Sequence, residues 1–219
     1  MIGVVTGLQA EAKIVRGLPC LVVSGGGRAD MTRRKIDGLI EAGVQGLVSF
    51  GIAGAVDPAM KTGDVVVSAT VIDAEGRRYV GDPAWLEKIL SHLPGSHHGD
   101  LYGSDHMIST AADKAQILKQ YACIAVDMES HHTARAATRH QLPFIVIRAI
   151  ADTASEHLPE ALAAGVDAEG KTRVWPIIAA LLTGRLSIGA VLRAGRSSGR
   201  ALASLRQSRP SLDRLFLKK

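Results

Sequence analysis

Residues 144–152 read FIVIRAIAD, and this stretch decides the fold class that the sequence predicts. The run is apolar at every position except Arg148 until it ends in Asp152. Such continuously apolar strands are typical of sheets covered on both faces, whereas a strand with one wet face alternates apolar and polar residues. FIVIRAIAD is therefore predicted to be a buried strand of a mixed or parallel sheet.

Stretches of similar texture alternate with helix-like ones along the chain. Further strands are predicted at 2–7, 20–27, 47–54, 64–72 and 122–127. Helices are predicted at 28–43, 83–92, 111–120, 128–140 and 172–182. This order predicts an α/β protein with a central mixed, twisted sheet and helices on both faces, which makes three layers.

The composition is that of one folded domain. The chain has 219 residues, of which 47% are apolar and 21% charged, so it can bury one substantial core. No apolar run approaches the roughly 20 residues that cross a bilayer. The N-terminus lacks a basic leader followed by an apolar stretch and a cleavage site. Cys20 and Cys123 lie in strand-like contexts where reduced thiols are usual, and these features together predict a cytoplasmic protein.

Charge is distributed unevenly, and residues 184–219 form a basic C-terminal extension. Nine Lys or Arg stand there against Asp213 alone, which gives +8 and leaves −3 for residues 1–183 out of the total of +5. Recurring apolar residues predict short amphipathic helices, interrupted by GRSSGR (195–200) and Pro210. Three interpretations stay open: a solvated, partly disordered tail, a basic helix on the inner membrane surface, and a nucleic-acid contact. The last is disfavoured because the extension has a single aromatic residue.

Four acidic residues follow or end predicted strands: Glu11, Asp127, Glu129 and Asp152. Ligands of open α/β sheets bind beyond the carboxyl ends of the strands, so these side chains are expected to line one cleft. Mutual repulsion and partial burial would raise at least one pKa there. Such a cleft can supply both a proton donor and a base.

Other chemical motifs are weaker. SGGGR (24–28) places a glycine turn before a helix, where Gly27 and Arg28 could hold an anion, but it fits neither GxGxxG nor the P-loop pattern. Histidines occur in the adjacent pairs His97/His98 and His131/His132. Adjacent positions on a helix do not converge and no HExxH or CxxC spacing occurs, so no metal site is predicted.

Six motifs, taken in order, resemble those of one enzyme superfamily. They are IGVV (2–5) followed by Glu11, SGGGR, GIAGAVDPAMKTGDVVVS (51–68), GSDHMI (103–108), VDMES (126–130) and IRAIADT (147–153). The set spans about residues 2–182 and resembles the nucleoside phosphorylase/nucleosidase superfamily, above all its methylthioadenosine/S-adenosylhomocysteine nucleosidase branch. It also resembles hopanoid-associated phosphorylases, proposed to remove adenine from adenosylhopane. The resemblance implies a nucleoside phosphorylase-like catalytic domain at 1–183 and a lipid-facing purpose for the extension.

The resemblance implies roles in cleaving the bond between ribose and a purine, adenine above all. Asp152 would protonate N7 of the base, and Glu129 would accept hydrogen bonds from the ribose hydroxyls. Met128 would pack beneath the sugar. Asp127 matches a family glutamate to which no role is assigned.

The base-binding positions depart from the family pattern. Met107 stands where the family has an aromatic residue against the base, and Ile108 would offer its backbone to the purine edge. Ile52, on the substrate side of the GxxG turn, replaces a nucleosidase serine.

Hydrolysis is favoured over phosphorolysis. Glu11 matches the nucleosidase glutamate that activates water, and a carboxylate there would repel phosphate. The surrounding TGLQAEAK (6–13) lacks the GDPxR-type stretch with which phosphorylases bind a dianion. Arg28 could still hold an anion, so a phosphate-dependent purine nucleoside phosphorylase, with inorganic phosphate as co-substrate, is the alternative. No cofactor is expected otherwise.

A second alternative is a protein without catalysis that binds a nucleoside or a membrane surface. In every version except the membrane-surface protein the expected ligand is a small-molecule nucleoside, lipid-linked or not, and nucleic acid is not expected. The family commonly forms homodimers or larger oligomers in which a partner residue closes each site. The resemblance therefore implies a homo-oligomer.

Overall fold

The computed structural model describes residues 1–159, 170, 183 and 187–216, and its strands form one ten-stranded sheet. The strands are β1 (Ile2–Thr6), β2 (Cys20–Ser24), β3 (Leu47–Ala55), β4 (Val65–Ser68), β5 (Thr70–Ile72), β6 (Arg78–Val80), β7 (His97–His98), β8 (Leu101–Gly103), β9 (Ala125–Asp127) and β10 (Phe144–Asp152). The helices are α1 (Gln9–Val15), α2 (Ala29–Glu41), α3 (Pro83–Leu90), α4 (Ala111–Tyr121), α5 (Ser130–Arg139) and α6 (Ile188–Phe216). The helix predicted at 172–182 lies outside the described residues.

The pairing of β3 with β10 forms the middle of the sheet. The two strands run parallel over their whole lengths, with an irregularity just before Asp152. β1 lies parallel to β2 on one side and to β3 on the other, while β4 and β9 pair antiparallel with β10 and β3. The mixed sheet predicted from the sequence is confirmed.

Side chains of β10 alternate between two hydrophobic clusters on opposite faces of the sheet. Ile145 and Ile147 pack in a cluster with α1, α3 and α6. Val146 and Ile150 pack in a second cluster with α2 and α5. The continuous apolar texture of FIVIRAIAD is explained by these two helical layers, because neither face of the strand meets water.

Helix α4 has clear start and stop signals. Thr110 caps it, since its Oγ1 accepts a hydrogen bond from the backbone N–H of Asp113 at 3.1 Å. Ala122 ends it in the left-handed conformation, with φ of 55°. The ends of α4 fix which of its side chains face the sheet, and Lys114 is one of them.

Residues 188–216 of the basic extension form one helix of 29 residues, so the prediction of short interrupted helices is wrong for them. α6 continues through both GRSSGR and Pro210. Its second half is packed into the core, where Leu205 and Leu212 are fully buried, so a solvated or disordered tail is also wrong for residues 201–216. Tertiary packing stabilises the helix across residues that would end an isolated one. The boundary predicted at 183/184 stays a prediction.

The first half of α6 differs from the second in its exposure. Ile188 is 70% exposed and Leu192 is 53% exposed. Within the described part of the chain, α6 and the shorter helices all fall short of the length and apolar character needed to cross a bilayer.

We expect Leu205→Ala to lower the free energy of unfolding by about 2–5 kcal/mol, because it leaves a cavity beneath α6 in the main core. Urea denaturation followed by circular dichroism measures the change. Leu192→Ala is the matched control on the exposed half of the same helix and should stay within about 0.5 kcal/mol of the wild type. Equal effects of the two substitutions would contradict the packing of α6.

Candidate active site

The four predicted acids lie at the ends of strands in the middle of the sheet. Glu11 stands in the first turn of α1, directly after β1. Asp127 is the last residue of β9, and Glu129 lies in the turn between β9 and α5. Asp152 is the last residue of β10. All four are buried, so their carboxyl groups face the protein interior rather than bulk water.

Three of these acids gather around one cation, Arg148. Its fully buried guanidinium makes an ion pair with Asp127. Nη2 of Arg148 lies 3.5 Å from Oε2 of Glu129, and the charge of Arg148 also acts on Glu11. We call Glu11, Asp127, Glu129 and Arg148 the carboxylate–arginine cluster. It collects groups that a buried position tolerates only when they are paired.

Asp127 has a structural position in this cluster. Its carboxylate accepts hydrogen bonds from the hydroxyl of Ser130 and, at 3.1 Å, from the backbone N–H of Ser130. Arg148 in turn donates to the hydroxyl of Ser49 at 2.7 Å. With these partners and the ion pair, Asp127 fixes the guanidinium and the start of α5. This gives a physical role to a residue for which the resemblance implied none.

Glu11 is held by the backbone. Its Oε2 accepts the N–H groups of Gly7 at 2.9 Å and Leu8 at 2.8 Å, and its Oε1 accepts the N–H of Ile52 at 2.9 Å. Burial raises the pKa of Glu11, and the charge of Arg148 and these three N–H groups only partly oppose the rise. Glu11 thus bridges the turn after β1 to the middle of β3.

Two glycines make room for the cluster. A Cβ atom on Gly51 would lie 2.4 Å from Nη1 of Arg148 and 2.7 Å from Oε1 of Glu11. A Cβ atom on Gly7 would lie 2.7 Å from an oxygen of Glu129. Glycine is therefore needed at both positions, because charged side chains approach the backbone too closely there for a Cβ atom.

Glu129 has a strongly perturbed carboxyl group. Burial raises its pKa to about 8; Arg148 opposes this, and the nearby carboxylates of Asp127 and Glu11 add to it. The raised pKa therefore favours the protonated carboxyl group at neutral pH.

Asp152 has a cation of its own, Lys114. Nζ of Lys114 donates to Oδ2 of Asp152 at 2.5 Å, to the carbonyl oxygen of Thr153 at 2.8 Å and to that of Glu156 at 3.2 Å. Lys114 is fully buried in α4. Burial raises the pKa of Asp152, and Lys114 partly offsets the increase. The pair keeps a carboxyl group inside the protein without isolating its charge.

Strand β3 relates Asp152 to the carboxylate–arginine cluster. Ile52, whose N–H binds Glu11, and Gly54, which pairs with Asp152, are two residues apart on this strand. Two residues of extended strand span about 7 Å. β3 therefore contacts the carboxylate–arginine cluster at Ile52 and the Asp152–Lys114 pair at Gly54, two residues further along.

The residues predicted to contact a sugar and base are half-buried. This holds for Met128, Met107, Ile108 and Ile52. Ile108 packs against the small apolar cluster that contains residues of β8, β9 and α4. Each of these side chains therefore retains exposed surface that a ligand could contact.

The two residues predicted to bind an anion, Gly27 and Arg28, have different surroundings in the structure. Gly27 adopts φ of +68°, and a Cβ atom placed on it would lie 3.8 Å from Cε of Met128. Arg28 is more than half exposed and pairs with Asp30 at 3.1 Å. The glycine turn is therefore next to the candidate sugar position, whereas the guanidinium is engaged at the surface.

The argument that adjacent histidines on a helix do not converge is wrong for His131 and His132. They stand in the first turn of α5, and Nε2 of each lies 2.8 Å from the same oxygen of Asp105. Their ring centroids are 3.8 Å apart.

Sequence reasoning missed Arg148 and Lys114 as members of the site. A signal existed for both: Arg148 interrupts an otherwise apolar central strand, and Lys114 stands three residues before buried Ile117 on the same face of α4. A charged residue in such a position needs a buried partner.

We expect the stability of the protein to respond to pH through Glu129. Its pKa is raised on folding, so its contribution favours the folded state below about pH 4.5 and is lost as the pH rises to about 8. Glu129→Gln removes this titration. The Tm of the variant minus that of the wild type should therefore become more positive between about pH 5 and about pH 8.

Calorimetry at both pH values measures this difference. Glu87→Gln, on the exposed face of α3, is the control and should show no such trend. A difference for Glu129→Gln that is constant or decreases with pH would contradict the raised pKa.

Residues 5–182 match the family model described as the phosphorylase superfamily. The methylthioadenosine/S-adenosylhomocysteine nucleosidase of Staphylococcus epidermidis is 28% identical over 130 residues, which are 50% of this chain and 57% of that protein. The enzyme of the same name from Exiguobacterium is 29% identical over 132 residues, with the same coverage. The alignments thus cover less than two thirds of the length of these relatives.

Solved structures share the fold at lower identity. The nucleosidase of the same name from Neisseria meningitidis, in complex with methylthio-immucillin-A, has a TM-score of 0.73 at 15% identity, covering 96% of this chain and 97% of that one. Futalosine hydrolase of Helicobacter pylori has a TM-score of 0.70 at 14% identity, covering 94% and 96%. Together with the family match over most of the chain, they confirm the fold class and the resemblance seen in the motifs: the chain belongs to the phosphorylase superfamily.

Proposed function

We propose that the protein is a nucleosidase that hydrolyses the N-glycosidic bond of an adenine nucleoside and releases adenine. The proposal rests mainly on one observation: β3 has buried acids beside it at two neighbouring places, one group paired with Arg148 and the other, Asp152, paired with Lys114. The carboxylate–arginine cluster lies beside Ile52, and Asp152 lies beside Gly54. Relatives that bear the name of a methylthioadenosine/S-adenosylhomocysteine nucleosidase support the reaction class.

Asp152 is the proton donor to the leaving base. Departure of a purine is easier when N7 is protonated, because the base then takes the electrons of the C1′–N9 bond and leaves as a neutral molecule. Burial raises the pKa of Asp152 and favours the protonated form that the reaction needs.

Glu129 binds the ribose. It lies in the turn before α5, beside Met128, and its carboxyl group can exchange hydrogen bonds with sugar hydroxyls. The acids around it give the site a negative potential, which stabilises the positive charge that develops on the ribose as the bond to the base breaks.

Glu11 activates water. Its Oε1 accepts one backbone hydrogen bond and keeps a lone pair for a water molecule, whereas Oε2 already accepts two. Water adds its oxygen to C1′ and transfers a proton to Glu11, while adenine leaves with the proton from Asp152. No step requires a cofactor.

Phosphorolysis is the alternative reaction. It is disfavoured because a phosphate dianion would have to approach the carboxylate of Glu11, while the buried guanidinium of Arg148 is already occupied by Asp127 and Ser49. Arg28, the other candidate for binding phosphate, pairs with Asp30 at the surface. A nucleoside-binding protein without catalysis is the second alternative.

Two kinds of 5′ substituent on the nucleoside are compatible with the structure, a polar group and a lipid. A cavity of about 420 Å³ touches Leu8, next to Glu11, and extends to Lys13 and Arg206. A 5′ group that entered this cavity would meet Lys13 and Arg206, which favour a polar group over a lipid. A lipid-linked substrate such as adenosylhopane is instead favoured by the exposed first half of α6, where Ile188 and Leu192 could contact an anionic inner membrane surface. We also propose a homo-oligomer in which a partner residue closes the site.

We expect the purified protein to release adenine from methylthioadenosine, adenosine or adenosylhopane without added phosphate, and chromatography of the free base measures this. Asp152→Asn should lower kcat/KM by about 100- to 10,000-fold, the usual contribution of a general acid. Asp37→Asn, on the exposed face of α2, is the matched control and should retain activity. Release that requires phosphate and forms ribose 1-phosphate would establish the phosphorylase, and tight binding without turnover would establish the non-catalytic alternative.

Lys114 positions Asp152 and adjusts its pKa, so it should be visible in the pH profile. Lys114→Met removes the charge that lowers the pKa of Asp152, and the acid then stays protonated to higher pH. The basic limb of kcat/KM should therefore move to higher pH. Lys119→Met, on the exposed side of the same helix, should leave the limb in place. A loss of activity with an unshifted limb would leave Lys114 with a structural role only.

A further inference from the structure

A group of metal-ligating side chains lies outside the residues used so far. It consists of Asp105, which precedes the predicted base-contacting residues, and of His131 and His132 at the start of α5. One ligand atom from each of the three lies within 4.8 Å of the other two. We call these residues the His–His–Asp cluster.

Both histidines are buried while the acid is accessible. The side chains of His131 and His132 are 4% and 1% exposed, and that of Asp105 is 46% exposed. An ion could therefore enter past the carboxylate and reach two imidazoles in the interior.

The hydrogen bonding of the cluster is incomplete. Nε2 of His131 forms a hydrogen bond with Oδ1 of Asp105 at 2.8 Å. Nε2 of His132 lies at the same distance from that oxygen but is not aligned for a hydrogen bond, and neither its Nε2 nor its Nδ1 has a partner among the described residues. A buried, unsatisfied polar atom needs an explanation, and an ion is one of the few available.

The geometry points to a site for a divalent transition-metal ion of the zinc class, held by Asp105, His131 and His132. In a tetrahedral zinc site with bond lengths of about 2.1 Å, ligand atoms lie about 3.4 Å apart. The distances of 2.8 Å from each Nε2 to Oδ1 require the side chains to separate by only about half an ångström to admit an ion. Because the side chain of Asp105 is 46% exposed, water could supply the fourth ligand.

The donor set suits the ion. Two imidazoles and one carboxylate are typical zinc ligands. Neither ring nitrogen of His132 has a hydrogen-bond partner among the described residues, so no such bond keeps the ring from an ion. Arg33 and Arg135 also act on His132, but Arg135 is itself paired with Asp73 at 3.1 Å, and the charge of Asp105 offsets them locally.

Such an ion would join two segments of the candidate site. Asp105 belongs to the loop that contains Met107 and Ile108, and the histidines follow Glu129 by two and three residues. Binding would therefore fix the base side of the site relative to the ribose side. The inference does not rest on the proposed function, because the ligand geometry is independent of the reaction.

Metal binding can be tested without an activity assay. Untagged protein, freed of metal by a chelator, is titrated with Co²⁺, and the visible absorption of a tetrahedral complex is recorded. We expect one Co²⁺ per chain, displaced by Zn²⁺, and a higher Tm with excess Zn²⁺. In the double variant His131→Gln/His132→Gln the absorption should disappear.

The matched control is His97→Gln/His98→Gln. These residues form the other adjacent pair, and His97 also has an acid nearby, Asp64 at 3.5 Å. The control should bind Co²⁺ like the wild type. Because the buried double variant can fail to fold, Asp105→Asn at the exposed position provides a second test and should weaken binding at least about tenfold.

Three outcomes would overturn the proposal. They are the absence of saturable Co²⁺ binding by the wild type, binding that persists unchanged in Asp105→Asn, and loss of binding in the control pair. In those cases the cluster is a hydrogen-bonded contact between the loop and α5.

Discussion

The pairing of Arg148 with Asp127 and Glu129 inside the sheet is the interaction on which the site depends. A guanidinium in the central strand would be costly alone, and so would three carboxyl groups in one small volume. The guanidinium and the carboxyl groups each lower the free-energy cost of burying the other. Removing one partner of such a pair typically costs about 3–5 kcal/mol, because the remaining charge is left without compensation. The cluster therefore ties β9, β10 and the turn after β1 into one arrangement.

The positions of the acids could be predicted from the sequence, and the burial of Arg148 and Lys114 was signalled there, but which acid each of them pairs with could not be predicted. Glu11, Asp127, Glu129 and Asp152 follow or end apolar runs, so the carboxyl ends of the strands already placed them. The partner of Asp152 comes from α4, 38 residues earlier in the chain, and its identity depends on how that helix lies against the sheet. Pairing across such separations requires the register of the strands, which periodicity does not contain.

Helix α6 shows the opposite failure, in which local signals were clear and tertiary packing overrode them. Glycine, serine and proline in its sequence are typical of interruptions, and an isolated peptide would follow them. Leu205 and Leu212, two of the recurring apolar residues of this segment, are nevertheless buried in the main core. The family match ends at residue 182, so this core includes a helix beyond the matched residues.

The ionisation of the cluster links its stability to the proposed reaction. With every group charged, three carboxylates against one guanidinium leave two net negative charges, and the raised pKa of Glu129 removes one of them at neutral pH. A positive charge developing on a bound ribose would lower that pKa again, because a nearby cation favours the ionised carboxylate. The site would then interact more strongly with the transition state than with the substrate, which is the condition for acceleration rather than mere binding. In the proposed reaction, part of the free energy that burial of Glu129 costs the folded protein would be recovered when the bond breaks.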